Sequence, residues 1–409
     1  MPDERAETIS SSQAAWNDFT EQLRRIGDKI TGPTGARNAR ERAEGYRYLL
    51  RLVSAAHALE AEADRRHPVL TRMMTPIRKF KGDGTDTLYH EAKLDDALPY
   101  EFTVRRGDHL FFSATVYAYD ERGAYYIVDN LIDEKIEWEA DARSGQPVAH
   151  IHLSAQRPAG VRNWIALKGA RPILFTRQYF PEFVDSTDQG RYAPALMTIR
   201  CLSAVGEPGA LSEQDLAESL QRVIAFVEDA TDVSIGLSIF AGLNLVSYER
   251  SRAGETIDVT QITDGRMHLD DTRHDDYTPE QLAAMVDPKL IANNLPGPGI
   301  QYLGAWFKLS DDEAIKITGK DVPCRYWSCQ ILTRYLESGD YRFHKVGLNN
   351  RQVKLADDGS FTIYASHQNP GVDNWVCTQG YENAHILIRT LLADPLMQAS
   401  FSVVKLSEI

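Results

Sequence analysis

The chain has 409 residues, with 45 Lys and Arg against 58 Asp and Glu, a net charge of −13 and 43% hydrophobic residues. That composition suits two or three soluble globular domains. An acidic balance without clustered Lys and Arg argues against nucleic acid or an anionic membrane surface as partner.

The N-terminal segment MPDERAETISSSQ is polar and acidic and offers no apolar stretch for a secretory signal, so a cytoplasmic protein is expected. The longest apolar candidate, Ile235 to Val246, is broken by Gly236, Gly242 and Asn244 and falls short of the ~20 residues of a membrane span. Cys201, Cys324, Cys329 and Cys377 form no CxxC pair and no zinc spacing, which predicts reduced, structural thiols.

Along the chain, Trp16, Phe19, Leu23, Ile26 and Ile30 recur at helical spacing behind the cap candidates Ser10 to Ser12. A second helix is predicted over about 40–66, with Tyr46, Leu49, Leu50 and Val53 inward and Pro68 beyond its end. From Tyr89 to Leu202 the pattern changes to short β-rich runs such as EFTV, HLFFSATVYAY and ILFTRQYF, separated by Gly, Pro or Asp turns. A capping-box-like Ser212-x-x-Asp215 then opens a helix with Leu216, Leu220, Val223 and Val227 inward. Residues 250–300 read as an exposed acidic connection. Its string His268, Asp270, Asp271, His274, Asp275 and Asp276 matches neither an EF-hand nor a zincin helix, and a solvated loop is expected. A second strand-rich stretch runs from Tyr302 to Leu406.

The two stretches repeat each other. Gly160-Val161-Arg162-Asn163-Trp164 returns as Gly371-Val372-Asp373-Asn374-Trp375, on the order of a one-in-a-thousand accident from average residue usage. In the same order, Tyr89 parallels Tyr302, Phe111-Phe112-Ser113 parallels Tyr326-Trp327-Ser328, and Arg177 parallels Arg389. The expected fold is α+β and mainly β. It comprises two tandem jelly-roll-like antiparallel β-sandwiches, each preceded by amphipathic helices. The halves divide at 1–203 and 204–409, with helical lead-ins over about 12–67 and 204–300 and sandwiches over about 85–203 and 301–409.

Pro323-Cys324-Arg325-Tyr326-Trp327-Ser328, then Asp358-Gly359-Ser360, then Asn374-Trp375 and Arg389 resemble the C-terminal signature of the bacterial family of domain of unknown function 1214. Members of that family often stand in tandem with a related domain of unknown function 1254. The first copy closes on Arg177-Gln178-Tyr179-Phe180-Pro181, nearer the family's Arg-x-Tyr-x-x-Pro-like end than the second copy, which has Leu391 at the Tyr position. The resemblance implies tandem β-sandwich domains in bacteria and carries no reaction.

Several constellations offer chemistry. On a strand, His150 and His152 point to one face, where they could share a substrate or a metal; the positions aligned with them in the second copy are Phe361 and Ile363, which makes the pair peculiar to the first. The alternative is a pair of exposed or backbone-satisfied rings. Asp86, in the Gly-containing turn Asp83-Gly84-Thr85-Asp86, is a candidate general acid or base, with an Asx turn as the plainer reading. His109 shares a face with Ser113 across the Phe-Phe-Ser run and is a candidate pocket base; no G-x-S-x-G elbow surrounds Ser113. The Asn163-Trp164 and Asn374-Trp375 pairs read either as shared architecture or as aromatic platforms, and Arg177 and Arg389 as anion ligands or interior ion-pair partners.

Two functions follow as expectations. The first is a cofactor-independent enzyme of hydrolase or lyase type. Asp86, His109, His150 and His152 would move protons in a pocket of the first sandwich, while Asn163, Trp164, Arg177 and Tyr179 orient a small apolar or sugar-like molecule. The second is a non-catalytic small-molecule-binding protein whose ligand lies between the two sandwiches, held by the duplicated Trp164, Trp375, Arg177 and Arg389. In both, the partner is a small molecule, no cofactor or metal is required, and homodimer formation stays open.

Overall fold

The computed structural model describes residues 10–121, 125–184, 191–203, 206–237, 242–246, 297 and 299–409. The predicted acidic string at 268–276 and most of the predicted 250–300 connection lie outside the described residues.

Among the described residues the α-helices are α1 (Ser11–Lys29), α2 (Ala39–Ala56) and α3 (Glu213–Leu237). The first half carries strands β1 (Thr71–Arg72), β2 (Thr87–Lys93), β3 (Tyr100–Arg105), β4 (Phe111–Tyr119), β5 (Tyr125–Ile132), β6 (Glu139–Ala140), β7 (Pro147–Ser154), β8 (Asn163–Ala166), β9 (Ala170–Tyr179) and β10 (Leu196–Cys201). The second carries β11 (Gly242–Val246), β12 (Ile300–Lys308), β13 (Glu313–Lys320), β14 (Tyr326–Leu332), β15 (Gly347–Asn349), β16 (Ser360–Ser366), β17 (Trp375–Cys377), β18 (Asn383–Leu391) and β19 (Ala399–Lys405).

The duplication read from a few motifs is a duplication of topology. One sheet of the first half runs β1-β2-β9-β4-β5 and its counterpart runs β11-β12-β18-β14-β15; the other runs β10-β3-β7, with β8 beside β7, and its counterpart β19-β13-β16-β17. Pairing is antiparallel except where β8 lies parallel to β7 and β17 parallel to β16. Only β6 has no counterpart in this ordering. Each pair of sheets encloses a core: Phe102, Phe112, Ile151, Ile165 and Leu174 in the first sandwich, Ile317, Trp327, Phe361, Ile363, Ile386 and Ile388 in the second. Side chains alternate across each strand, so every second residue of β9 and β18 is left for the sheet's other face.

Those other faces meet. Phe111 and Tyr179 from the first half pack with Ile300, Tyr326 and Leu391 from the second. The helices complete the enclosure as one shared layer: Phe19, Ile26, Tyr48 and Leu52 of α1 and α2 pack with Val223 and Val227 of α3 and with Phe80, Tyr89 and Tyr335. Burial of such a side chain contributes roughly 1.5–3 kcal/mol.

Local signals at the helix starts hold. The Ser10 side chain accepts from the Gln13 N–H, and Ser212 and Asp215 cap reciprocally through Asp215 N–H to Ser212 Oγ at 3.1 Å and Ser212 N–H to Asp215 Oδ2 at 2.9 Å. The inward face of α2 differs from expectation. Tyr48, Leu49, Leu52 and Ala55 are buried, while Tyr46 and Leu50 are exposed, and the helix ends in a π-helical turn over His57–Ala61. The reason is that α2 meets both α3 and Tyr335, so small residues set the contact: a Cβ at Gly45 would overlap the Tyr335 ring and Ile30. No described helix is long and apolar enough to cross a membrane.

A cavity between the two sandwiches

Where β2, β4 and β9 face β12, β14 and β18, they do not close completely. A cavity of about 370 Å³ remains, roofed by Arg222, Ala225, Phe226 and Asp229 of α3, whose spacing puts them on one helix face. Arg177 and Arg389 reach it from equivalent strands. Arg177 pairs with Tyr89 on β2 and with Ser113 on β4; Arg389 pairs with Tyr302 on β12 and with Ser328 on β14. The repeated residues Tyr89 and Tyr302, Ser113 and Ser328, Arg177 and Arg389 are thus one cross-strand row, present once in each wall.

The two guanidinium groups are buried, at 7% and 2% exposure, and neither has a carboxylate partner among the described residues. Arg177 donates to Tyr117 Oη at 2.8 Å and Thr115 Oγ1 at 3.4 Å and lies 4.1 Å over the Phe175 ring. Arg389 donates to the Gly82 carbonyl at 2.6 Å and, across the gap between the halves, to Tyr89 Oη at 3.2 Å, while its Nε–H has no partner. Burial pulls against both charges, but the phenol oxygens of Tyr117 beside Arg177 and of Tyr89 beside Arg389 outweigh it, so each guanidinium is held above its ordinary value. Tyr89 and Tyr302 act electrostatically on both arginines.

The two lysines of the cavity are ion-paired. Lys93 Nζ lies 2.6 Å from Glu60, carried on the π-helical turn, and 2.9 Å from Glu91, and Lys81 lies 2.5 Å from Asp229. Arg65, Arg171 and Arg222 stand where the cavity joins a wider neighbouring one of about 780 Å³, and all three line both. Seven Lys and Arg against three Asp and Glu line the inner cavity, so a protein with a surplus of negative charge carries a positive site.

The residues singled out in the sequence are scattered. Asp86 is buried between the halves, where Oδ1 accepts from Tyr326 Oη at 2.5 Å and Oδ2 from Asn349 Nδ2 at 2.7 Å; burial raises its carboxyl above the usual range. Tyr179 stacks obliquely on Tyr326 at 4.9 Å in the same contact. His109 precedes β4 rather than sharing its face with Ser113. It is buried against Phe112, has no partner on either ring nitrogen among the described residues, and burial depresses it to about 4. His150 and His152 lie on the outward face of β7, with Ile151 and Leu153 inward. His150 contacts Thr103 Oγ1 at 3.2 Å and stands 3.8 Å from Glu139. Asp86, His109, His150 and His152 share no hydrogen bond, and none lines either cavity.

The alignment that made His150 and His152 peculiar was one residue out. His152 stands opposite Trp164, and Tyr364 opposite Trp375, so His152 corresponds to Tyr364 and His150 to Thr362, not to Ile363 and Phe361. On a strand a one-residue slip exchanges faces, which placed two outward histidines against two core residues. The Asn-Trp pairs themselves are matched clamps: Asn163 Oδ1 accepts from Glu137 N–H and Asn374 Oδ1 from Lys354 N–H, both at 2.8 Å, and Trp164 and Trp375 donate to Ser154 Oγ at 3.2 Å and Ser366 Oγ at 3.0 Å. Neither Trp reaches the cavity.

Unforeseen in the sequence were Lys93, Tyr117, Trp306 and His385. The usable signal was alternation: counting back by two from each arginine gives Phe175 and Ile173 on β9, and Leu387 and His385 on β18, all lining the cavity.

Residues 305–395 match the model of a family described as a protein of unknown function (DUF1214). A crystal structure of an uncharacterized protein from Burkholderia cenocepacia is similar over 99% of this chain and 100% of its own, at 26% identity and a TM-score of 0.78. A protein from Vibrio parahaemolyticus covers 88% of this chain and 98% of its own at 13% identity, with a TM-score of 0.46. No curated protein matches the chain.

Proposed function

We propose that the chain is a small-molecule-binding protein whose ligand, an organic anion with an apolar body, occupies the cavity between the two sandwiches. The observation that carries this reading is the pair Arg177 and Arg389, equivalent, buried and without ion-paired carboxylates among the described residues, in one cavity. The phenol and carbonyl oxygens that hold these charges leave the Arg389 Nε–H unmet among the described residues, and an oxyanion in bidentate contact would take such donors. The volume suits one small ligand, and Phe80, Phe175, Phe226, Tyr302 and Trp306 supply the apolar lining. Binding is favoured over hydrolase or lyase chemistry by Asp86, His109, His150 and His152 because neither cavity gathers those residues. In the same proposal the first half is a domain of the related family of unknown function 1254, and the protein is cytoplasmic and needs no cofactor to bind.

Calorimetric titration with phenylbutanoate tests the reading. Saturable one-to-one binding is expected in the native protein and a loss of about 100-fold or more in the double variant Arg177→Met, Arg389→Met, since a hydrogen bond to a charged group contributes about 1.5–3 kcal/mol. No saturable binding, or binding indifferent to the two substitutions, would remove the proposal.

A further inference from the structure

The end of the cavity away from the arginines contains a second unmet group. His385 is 3% exposed, lines the cavity, and among the described residues neither Nδ1 nor Nε2 has a hydrogen-bond partner. It is not there by default. The equivalent place on β9 is Ile173, which shows that the duplicated frame closes with an apolar residue. The imidazole is also shaped into position: Trp306, its cross-strand partner, stacks on it at 4.9 Å with the rings 19° apart, and Gly304, two residues earlier on β12, leaves room that any Cβ would take from the ring. Burial holds it neutral, depressed to about 3, so one ring nitrogen offers a lone pair and the other an N–H. A buried polar group left without a partner is destabilising, and the face it turns to is the one the ligand occupies.

His385 and Arg389 are four residues apart on β18, which places their backbones about 13 Å from one another along one face of the strand. Resting on the binding function above, we propose that the cavity takes hydroxyaryl carboxylates: the carboxylate sits at Arg177 and Arg389, the aromatic body lies among the tyrosines, and the distal hydroxyl donates to the ring nitrogen of His385. His385 is then a specificity-determining residue, selecting for a ligand polar at both ends.

The test compares phenylbutanoate with its para-hydroxy derivative by calorimetry on the full chain. Native protein binds the hydroxylated probe about tenfold more tightly, because a site built to hydrogen-bond a hydroxyl rejects the analogue lacking it. His385→Phe, which keeps a ring beside Trp306, abolishes the preference; His385→Gln, which restores an acceptor, recovers most of it. Saturable binding of both probes with equal affinity by the native protein overturns this inference and leaves the binding function standing, and it needs no variant to fold. A preference that survives His385→Phe overturns it too. Failure of both probes to bind overturns the inference together with the function beneath it.

Discussion

The two walls of the cavity began as the same wall and no longer are. In each, a Tyr-Arg-Ser row crosses the three central strands: Tyr89, Arg177 and Ser113 in one, Tyr302, Arg389 and Ser328 in the other. Around that shared row the walls have parted. The first half places Lys93, Glu91, Tyr117 and Tyr125 where charge and hydroxyls dominate; the second places Trp306, Leu332, Leu387 and His385, apolar but for one unpartnered ring. Duplication supplied two buried guanidinium groups, and divergence gave the cavity a polar side and an apolar side.

The row is the first thing to break. If the arginines act as equivalent halves of one anion clamp, Arg177→Met and Arg389→Met each weaken phenylbutanoate binding by about 10- to 100-fold, to similar extents, from the lost charged hydrogen bonds. Each should also lower the melting temperature of the ligand-free protein, because Arg177 gives up its hydrogen bonds to Tyr117 and Thr115 and Arg389 those to Gly82 and Tyr89. Paired titrations and thermal scans check both statements; a large affinity loss in one variant alone would show that the clamp is no longer symmetric.

The contact between the walls depends on a residue that only one half supplies. Asp86 accepts from Tyr326 and Asn349 of the other half. Asp86→Ala leaves two buried donors unmet and should cost about 3 kcal/mol in urea denaturation. A stability change below a few tenths would mean that the halves hold together without this contact.

Much of the frame was legible because it rests on local chemistry. The Asn-Trp repeat, the caps at Ser10 and Ser212, and the strand runs each follow from neighbours in sequence. The site was legible in part. Arg177 and Arg389 stood out through the repeat, but the cavity lies between two sheets whose contact no local pattern encodes, and α3 closes it from the start of the second half. His150 and His152 misled for a physical reason: with no pairing partner to fix the register, a single slip turned outward residues into core positions. His385 was hidden in an apolar run, HILIRTLL, where alternation alone separates the two faces of β18.

Acidification acts on buried histidines in both halves, among them His109 in the first and His385 in the second. His109 and His385 are neutral in the folded protein, depressed to about 4 and about 3 by burial, while the unfolded chain titrates near the ordinary 6.5. Between those values the unfolded state binds more protons, so stability falls as pH falls, by about 1.4 kcal/mol per pH unit for each histidine. From pH 6.5 to 5 that amounts to about 2 kcal/mol each. His109→Phe should flatten the fall by that amount without touching ligand affinity, whereas His385→Phe should flatten it and also change ligand preference. Denaturation midpoints measured across pH 4.5 to 7 decide; an unchanged slope in His109→Phe would mean that this ring gains a proton in place.

The smallest effects belong to the part of the two halves that has stayed alike. Trp164 and Trp375 each donate one hydrogen bond to a serine on the neighbouring strand, and Asn163 and Asn374 each tie the preceding loop in the same way. Trp164→Phe and Trp375→Phe keep the ring and lose that bond, so each should cost about 1 kcal/mol, nearly equal in the two halves. Both should leave phenylbutanoate affinity unchanged, since neither indole lines the cavity. Ligand held by duplicated tryptophans would give the opposite pattern, matched losses of affinity. Matched losses of stability with intact binding would place the oldest shared feature of the duplication in the frame and leave recognition to the row of arginines and the residues that have diverged around it.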